Sequence, residues 1–246
     1  MLKMELLDNK IFKDAFESIS RIVDEVVCKV DSDGFRVNAI DRSHICFVSL
    51  DLKKDLFDEF ICDSPEELCV DTAELMKILK RAKSNDVLSI SSDDSNHLII
   101  QFKGDVNRTF KIKLIDMEYE TPVPPNIELP VNLNMESSMV KDALTDMELF
   151  SDRLFFIVDE DYLMVNAEGE FGESNFKYLH GSDVNGGVKS SFSIDKLKDI
   201  FVASKFSDVV DMGLGTDMPV IFNFELVTGD GELMFLLAPR IDNDED

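Results

Sequence analysis

Positive charge is scarce in this sequence. Lys and Arg total 25 against 50 Asp and Glu in 246 residues, a formal net charge of -25, and the sequence pI lies near 4.3. Taken whole, such a chain repels nucleic acid and anionic lipid. Contact with a polyanion must come from a local basic surface, because charges are screened beyond roughly 8–10 Å in physiological salt. Long apolar runs are missing as well, and nothing approaches the ~20 residues that span a bilayer. The opening stretch, Met1 to Asp8, alternates apolar and polar residues without the apolar run of a signal peptide, so it reads as a first strand. A cytoplasmic, intracellular chain with no membrane partner is expected. The four cysteines, Cys28, Cys46, Cys62 and Cys69, form no Cys-x-x-Cys pair. They are expected to be buried reduced thiols.

Catalytic signatures are absent too. There is no phosphate-binding loop, nucleophile elbow or His-Glu-x-x-His, and the Gly213 and Gly215 pair lacks the third glycine and following helix of a dinucleotide site. His44, His97 and His180 show no metal-ligand spacing, and His44 with Cys46 on one strand supplies two ligands at most. Asp31-Ser-Asp33-Gly34 resembles the start of a calcium loop, but loop position twelve is Arg42 where a bidentate Glu is needed. A hairpin turn is expected there. Nothing assembles a nucleophile, a base and oxyanion donors. The reading is therefore of a chain that is not an enzyme and that uses no cofactor or metal.

What is present is a repeat. Residues 12–41 align without gaps on residues 140–169, with ten identities in thirty positions at a constant offset of 128. Lys13-Asp-Ala15 returns as Lys141-Asp-Ala143, Val37-Asn-Ala39 as Val165-Asn-Ala167, and Asp24, Val30, Asp31 and Asp33 as Asp152, Val158, Asp159 and Asp161. A weaker match pairs Leu75, Ile78, Leu79 and Asp86-Val-Leu88 with Leu197, Ile200, Phe201 and Asp208-Val-Val210. A period near half the chain is a domain duplication, since solenoid repeats recur every 20–50 residues. Between the copies, Pro122, Pro124 and Pro125 forbid helix and interior strand alike. The expected division is residues 1–116, a stiff connector over 117–130, and residues 131–246.

Each copy reads as α+β, with two helices on one face of antiparallel sheet. Phe12, Ala15, Phe16, Ile19 and Ile22 make a helical stripe, which Val140, Ala143, Leu144, Met147 and Phe150 repeat. A second helix is predicted over 72–83, opened by Asp71 and Glu74 and burying Leu75, Ile78, Leu79 and Ala82. Its counterpart begins near Ser193 and buries Ile194, Leu197, Ile200 and Phe201. Turns are expected at Asp31–Gly34, Ser92–Ser95, Asp159–Asp161 and Thr228–Gly231. Against the acidic background, Lys77, Lys80, Arg81 and Lys83 crowd one helix, the first three at i, i+3, i+4 opposite its apolar stripe. Lys10, Lys13, Lys141, Lys196, Lys198 and Lys205 add charge to helical polar faces. That segregation points to helices that face a polyanion and sheets that carry the acid.

These residues resemble the DNA sliding clamps of the proliferating cell nuclear antigen family, in their archaeal form, over essentially the whole chain. Ala39-Ile-Asp-Arg-Ser-His44-Ile is similar to the family's strand and loop with an apolar residue, Asp, a small residue and Ser-His-Val. Lys77-Ile-Leu-Lys80 matches its second helix. Leu236-Leu-Ala-Pro-Arg-Ile241 before an acidic tail looks like its Leu-Ala-Pro-Lys/Arg ending. The resemblance implies a processivity factor: a head-to-tail trimer of identical subunits that encircles double-stranded DNA without reading sequence and tethers a replicative DNA polymerase, clamp loader, flap endonuclease and DNA ligase.

By that resemblance, Lys13, Lys77, Lys80, Arg81, Lys83, Lys141, Lys196 and Lys205 face DNA. Phe110, Ile112 and Leu114, within Thr109–Leu114, pair with Phe176 and Tyr178, within Asn175–His180 of the next subunit. A partner-peptide pocket is expected from Ile40, His44, Ile45, Phe47, Val123, Pro124, Met218, Pro219, Ala238, Pro239, Arg240 and Ile241. In relatives it receives peptides with a Gln, an aliphatic residue and paired aromatics. Asp142, Thr145 and Leu149 stand near positions that are basic in eukaryotic relatives, and Leu236 stands where those have a tyrosine. Two other readings stay open from the residues alone: an acidic mimic of DNA that binds basic proteins, and a metal-dependent hydrolase.

Overall fold

The computed structural model describes residues 2–93, 96–116, 121–182, 184 and 186–241. Part of the turn expected at Ser92–Ser95, connector residues 117–120 and the acidic tail after Ile241 lie outside the described residues. The chain forms two compact units, residues 1–124 with 225–233 and residues 125–224 with 234–246.

The first unit runs β1 (Leu2–Leu6), α1 (Asn9–Ile22), β2 (Glu25–Asp31), β3 (Gly34–Ile40), β4 (Cys46–Lys53), β5 (Glu59–Cys62), β6 (Glu66–Asp71), α2 (Thr72–Leu79), β7 (Val87–Asp93), β8 (His97–Lys103) and β9 (Arg108–Lys113). The second runs β10 (Val131–Glu136), α3 (Ser137–Met147), β11 (Arg153–Val158), β12 (Tyr162–Gly169), β13 (Gly172–Leu179), β14 (Val188–Ser193), α4 (Ile194–Ile200), β15 (Val209–Leu214), β16 (Val220–Glu225) and β17 (Gly231–Leu237). The class is α+β, and the sheet expected of each copy comes as two. The orders are β5-β1-β7-β8-β9 and β4-β3-β2-β6 in the first unit, β13-β12-β11-β14 and β10-β15-β16-β17 in the second.

Helix α1 forms because its apolar spacing places Phe12, Ala15, Phe16, Ile19 and Ile22 on one buried face. Asp8 caps it by accepting the Lys10 N–H at 3.0 Å. The chain leaves the helix at Val23, which is β-branched and extended. The stripe seats two phenyl rings, Phe12 and Phe16, against Phe35 of β3 at 5.3 and 6.0 Å. In the second unit Val140, Ala143, Leu144 and Met147 are buried as expected, with Phe150 at the margin. Beneath α4, Phe201 meets Phe222 and Phe224 of β16 edge-on at 5.0 and 5.6 Å.

Within each unit a strand, a helix and three strands occur twice: β1-α1-β2-β3-β4 and β6-α2-β7-β8-β9, then β10-α3-β11-β12-β13 and β14-α4-β15-β16-β17. The halves exchange their first strands. β1 pairs with β7 and β6 with β2, while β10 pairs with β15 and β14 with β11. Three of the four junctions carry the same bond, because a helix's first N–H groups have no partner inside the helix. Thr72 N–H donates to the Asp24 carbonyl at 2.8 Å, Ser137 N–H to Asp208 at 2.8 Å and Ile194 N–H to Asp152 at 3.0 Å. At the fourth junction the Asn9 side-chain amide does this work, donating to the Asp86 carbonyl at 2.6 Å.

Strands β5, β1, β7 and β8 of the first sheet carry an ion network. Glu5 accepts from Lys103, from Lys3 at 3.1 Å and from the Ser89 hydroxyl at 3.1 Å, and Lys3 also reaches Glu59. The Lys103 hydrogen bond, with Lys3 behind it, holds the Glu5 carboxyl below its ordinary value of 4.5 against the opposing effect of burial. A carboxyl depressed in the folded state adds stability above its unfolded pKa and loses it as pH falls through the folded one. Glu5→Gln is therefore expected to lower unfolding stability by about 1 kcal/mol at neutral pH. In urea titrations the gap from the parent chain should close as the pH drops below about 4.5.

Candidate nucleic-acid interface and partner surfaces

The cationic segment of the first unit begins on a helix and ends on a pinned turn. Asp71 opens α2 by accepting the Glu74 N–H at 2.8 Å. Leu75, Met76 and Leu79 are buried, and Ile78 is half-buried. The helix stops at Leu79, short of the predicted Lys83. Arg81 N–H turns back to Ile78 and Ala82 N–H to Leu79, at 2.8 and 3.1 Å, which tightens the last turn into three-residue bonds. The cause lies beyond the helix, where the buried Asp86 carboxylate takes the Lys83 N–H at 2.8 Å. Asn9 donates to the Lys83 carbonyl at 2.9 Å, and Arg108 bonds both the Asp86 carboxylate and the Arg81 carbonyl, the latter at 2.8 Å. Gly104 leaves room for that carboxylate, since a Cβ there would fall 2.4 Å from Asp86 Oδ1.

Lys77, Lys80, Arg81 and Lys83 are all exposed around this frame. Lys77 pairs with Glu74 at 2.5 Å, which holds its ammonium above the ordinary value of 10.5. Lys13 is half-buried on α1, and Lys10 approaches Asp14 at 3.9 Å. In the second unit Lys141 and Lys205 are exposed and Lys196 is half-buried. Lys198 is tied to Glu148 by an ion pair. Helix α3 shows Asp142, Thr145, Asp146 and Leu149 on or just beyond its exposed side, so the cations crowd α2 and thin out on α3. Asn9, Asp86 and Arg108 were not among the sequence-based site residues. The recurrence of Asp86 as Asp208 was the one signal that could have found this frame.

The residues expected to meet partner peptides fall in both units. In the first, Asp41 organises the turn between β3 and β4: its buried carboxylate accepts the Ile45 and Cys46 N–H groups at 2.8 and 2.9 Å. His44 takes a left-handed φ of 57°, and Ile45 is left 37% exposed. Phe47 is 3% exposed and packs in the core. Val123 and Pro124 are exposed. In the second unit Met218, Pro219, Ala238 and Pro239 are half-buried, and Arg240 and Ile241 are exposed.

A cavity of about 320 Å³ opens in the second unit beside β14. Arg153 and Phe155 of β11 point away from the core that Leu154 and Phe156 enter. The β14 edge is covered by two N–H groups: Arg240 donates to the Ser191 carbonyl at 2.7 Å and Asp217 to that of Lys189 at 3.2 Å. Phe155 lies between two cations, Arg153 at 4.8 Å and Lys189 at 4.6 Å from its centroid. Of this lining, sequence reasoning singled out Arg240 and Ile241 only. Arg153 and Lys189 stand alone on their strands, and only the fold brings them together.

The two strands expected at a subunit joint are sheet edges. β9 ends the first unit's sheet and β13 ends one of the second's. Both alternate half-buried and exposed residues, with Phe110, Ile112, Phe176 and Tyr178 on the half-buried side and Leu114 buried. The Asp31–Gly34 stretch is a hairpin turn, in which Asp31 accepts the Asp33 N–H at 2.9 Å and pairs with Arg36 at 2.7 Å. Asp159 does the same for Asp161 and Tyr162 at 2.9 and 2.7 Å. Among the described residues no three His, Cys, Asp or Glu are grouped to hold a metal ion, and no helix is long and apolar enough to cross a membrane. Cys28, Cys46 and Cys69 are buried free thiols and Cys62 is half-buried.

Two tandem α+β units of this topology make a DNA-clamp fold. The structure superimposes on the proliferating cell nuclear antigen of Thermococcus kodakaraensis with a TM-score of 0.91 at 26% identity, covering 98% of this chain and 100% of that one. It superimposes equally, at 26% identity and 0.91, on the A. fulgidus protein bound to the C-terminal region of FEN-1, covering 99% and 100%. The family model for the proliferating cell nuclear antigen N-terminal domain matches residues 1–122. DNA polymerase sliding clamps of Methanobrevibacter smithii and Methanothermobacter thermautotrophicus are 51% and 49% identical over the whole of both chains. The chain belongs to the proliferating cell nuclear antigen family of DNA polymerase sliding clamps.

The pinned turn gives a direct test of what holds the cations in place. Asn9→Ala leaves the buried Asp86 carbonyl without its side-chain donor and removes one of the two donors to the Lys83 carbonyl, and should cost about 1–3 kcal/mol in urea unfolding. Lys80→Ala, on the exposed rim of the same turn, should stay within about 0.5 kcal/mol of the parent.

Proposed function

We propose that this chain is a processivity factor whose identical subunits join head to tail as a trimer, close around duplex DNA and hold replication and repair enzymes to it. The observation that carries the reading is the placing of Lys77, Lys80, Arg81 and Lys83 together on one exposed helix end in a chain of net charge -25. Lys13 in the same unit, and Lys141, Lys196 and Lys205 in the second, supply further DNA-facing charge. Contacts to phosphate carry no sequence information and exchange readily, so a duplex held by topology needs only enough of them to be centred. Too many would stall movement. The acidic remainder repels DNA from the wrong surface.

The free edges β9 and β13 supply the subunit joint, since an unpaired edge must be covered or paired and a head-to-tail contact that closes by rotation makes a ring. Partner peptides take the outward residues of each unit: Ile40, His44, Ile45, Val123 and Pro124 in the first, Met218, Pro219, Ala238, Pro239, Arg240 and Ile241 in the second. Their donors are the replicative DNA polymerase, clamp loader, flap endonuclease and DNA ligase. A protein of this kind performs no chemistry of its own, works in the cytoplasm on the chromosome, and needs no metal or cofactor.

Sedimentation of the purified chain should give three times the 27.9 kDa subunit mass. Reversing Lys77, Lys80 and Arg81 together to Glu should leave that mass unchanged. It should cut stimulation of a polymerase on primed circular DNA by about tenfold or more at physiological salt, through lost phosphate contacts. A monomer at micromolar concentration would sink the reading. So would unchanged stimulation after charge reversal, the result expected of an acidic mimic of DNA.

A further inference from the structure

The cavity beside β14 gathers cations in this acidic chain on a sheet face away from the helices. Its lining carries Arg153, Lys189 and Arg240 against one carboxylate, Asp217. Arg240 is partly engaged, with the Asp152 carboxylate at 3.0 Å. Arg153 holds the Ser191 hydroxyl at 2.7 Å. Lys189 is different: among the described residues no carboxylate lies within ion-pairing distance of its ammonium, and its neighbour is the Phe155 ring at 4.6 Å. An ammonium resting on an aromatic face, beside a guanidinium and a buried hydroxyl, is matched by a planar anion that can take charge-assisted hydrogen bonds.

The fold also says which anion. Arg153 and Phe155 alternate with Leu154 and Phe156, and Phe156 points into the core where Phe222 meets Phe201 from the helical side. Within its unit the cavity therefore opens on the sheet face opposite α4, and a backbone phosphate lying along α4 does not reach it. Its rim is Arg240 and Ile241, residues already read as part of the peptide surface. We propose that this cavity binds the side-chain carboxylate of an aspartate or glutamate flanking the anchors of a partner peptide, so that the clamp selects among partners by charge as well as by their apolar anchors. The proposal rests on the peptide-binding reading of Arg240 and Ile241.

The test is fluorescence anisotropy on the full chain. The labelled peptides carry a Gln, an aliphatic residue and paired aromatics, and a single Glu is walked through the positions just before that Gln. Each is compared with the peptide that has an amide at the same place. One position should bind about five- to tenfold more tightly as Glu. Lys189→Gln should bring that preference within about twofold, while binding of the amide peptide reports that the variant is folded. If no position prefers Glu, or if the preference survives in Lys189→Gln, the carboxylate site is wrong and the peptide surface stands. If none of the peptides binds the parent chain, the peptide reading fails and the proposal goes with it. A short oligonucleotide that displaces the Glu peptide through Lys189 would also overturn it, giving the cavity to phosphate.

Discussion

The first N–H of a helix that starts directly on a strand end needs an acceptor outside the helix, and in this chain that need ties the two halves of each unit together. Thr72, Ser137 and Ile194 each open a helix and each donate to the carbonyl of an aspartate that precedes a strand of the other half. Hydroxyls double the bond at two of them: Thr72 Oγ1 donates to the Val23 carbonyl at 2.8 Å and Ser137 Oγ to that of Ser207 at 2.8 Å. Because the strand before each of these helices pairs with the strand after that aspartate, one junction fixes strand register and helix start at once. The pairing of these strands and the starts of α2, α3 and α4 follow from it.

The duplication was legible because its two copies keep side chains as well as pattern, from Lys13-Asp-Ala15 and Lys141-Asp-Ala143 to the aspartates of the two hairpin turns. The finer repeat inside each copy was not. Its halves share a bond made by backbone groups, and backbone N–H and carbonyl leave almost no trace in a sequence. Three junctions place Thr72, Ser137 and Ile194 at the helix start, two hydroxyl residues and an apolar one, and the fourth uses an amide side chain. Only the aspartates Asp24, Asp86, Asp152 and Asp208 mark the positions. The stop of α2 at Leu79 was hidden for a related reason. Periodicity through Ala82 favours a longer helix, and what overrides it is Asp86, held by Arg108 and covered by Asn9, three residues brought together by the fold.

Charge placement shows the same division between what spacing reveals and what folding adds. The cluster from Lys77 to Lys83 is dense enough to read directly. Its orientation is not, since Lys80, Arg81 and Lys83 stand on a turn and depend on a buried carboxylate to keep their backbone in place. An anion thus supports a cationic surface from behind, where Asp86 is shielded from solvent and its charge is taken up by Arg108. The cations beside β14 were invisible for the opposite reason. Arg153 and Lys189 are ordinary single charges on strands, and they become a site only because β11 and β14 are neighbours and the Arg240 and Asp217 backbones close over the edge.

Those covered edges bear on how subunits meet. β14 is protected by the N–H groups of Asp217 and Arg240, and β6 receives the Ile115 N–H at the Cys69 carbonyl, 2.9 Å away. Among the described residues β9 and β13 have no comparable cover, although both present alternating half-buried side chains along a ladder side that is free to pair. A strand of that kind left open invites uncontrolled association. A two-fold dimer through β9 alone would leave both copies of β13 open, and one through β13 would leave both copies of β9. Pairing β9 of one subunit with β13 of the next would use both of these edges once, provided the chain of subunits returns on itself. Closure into a ring is therefore an arrangement in which the contact proposed for the subunit joint would also cover β9 and β13.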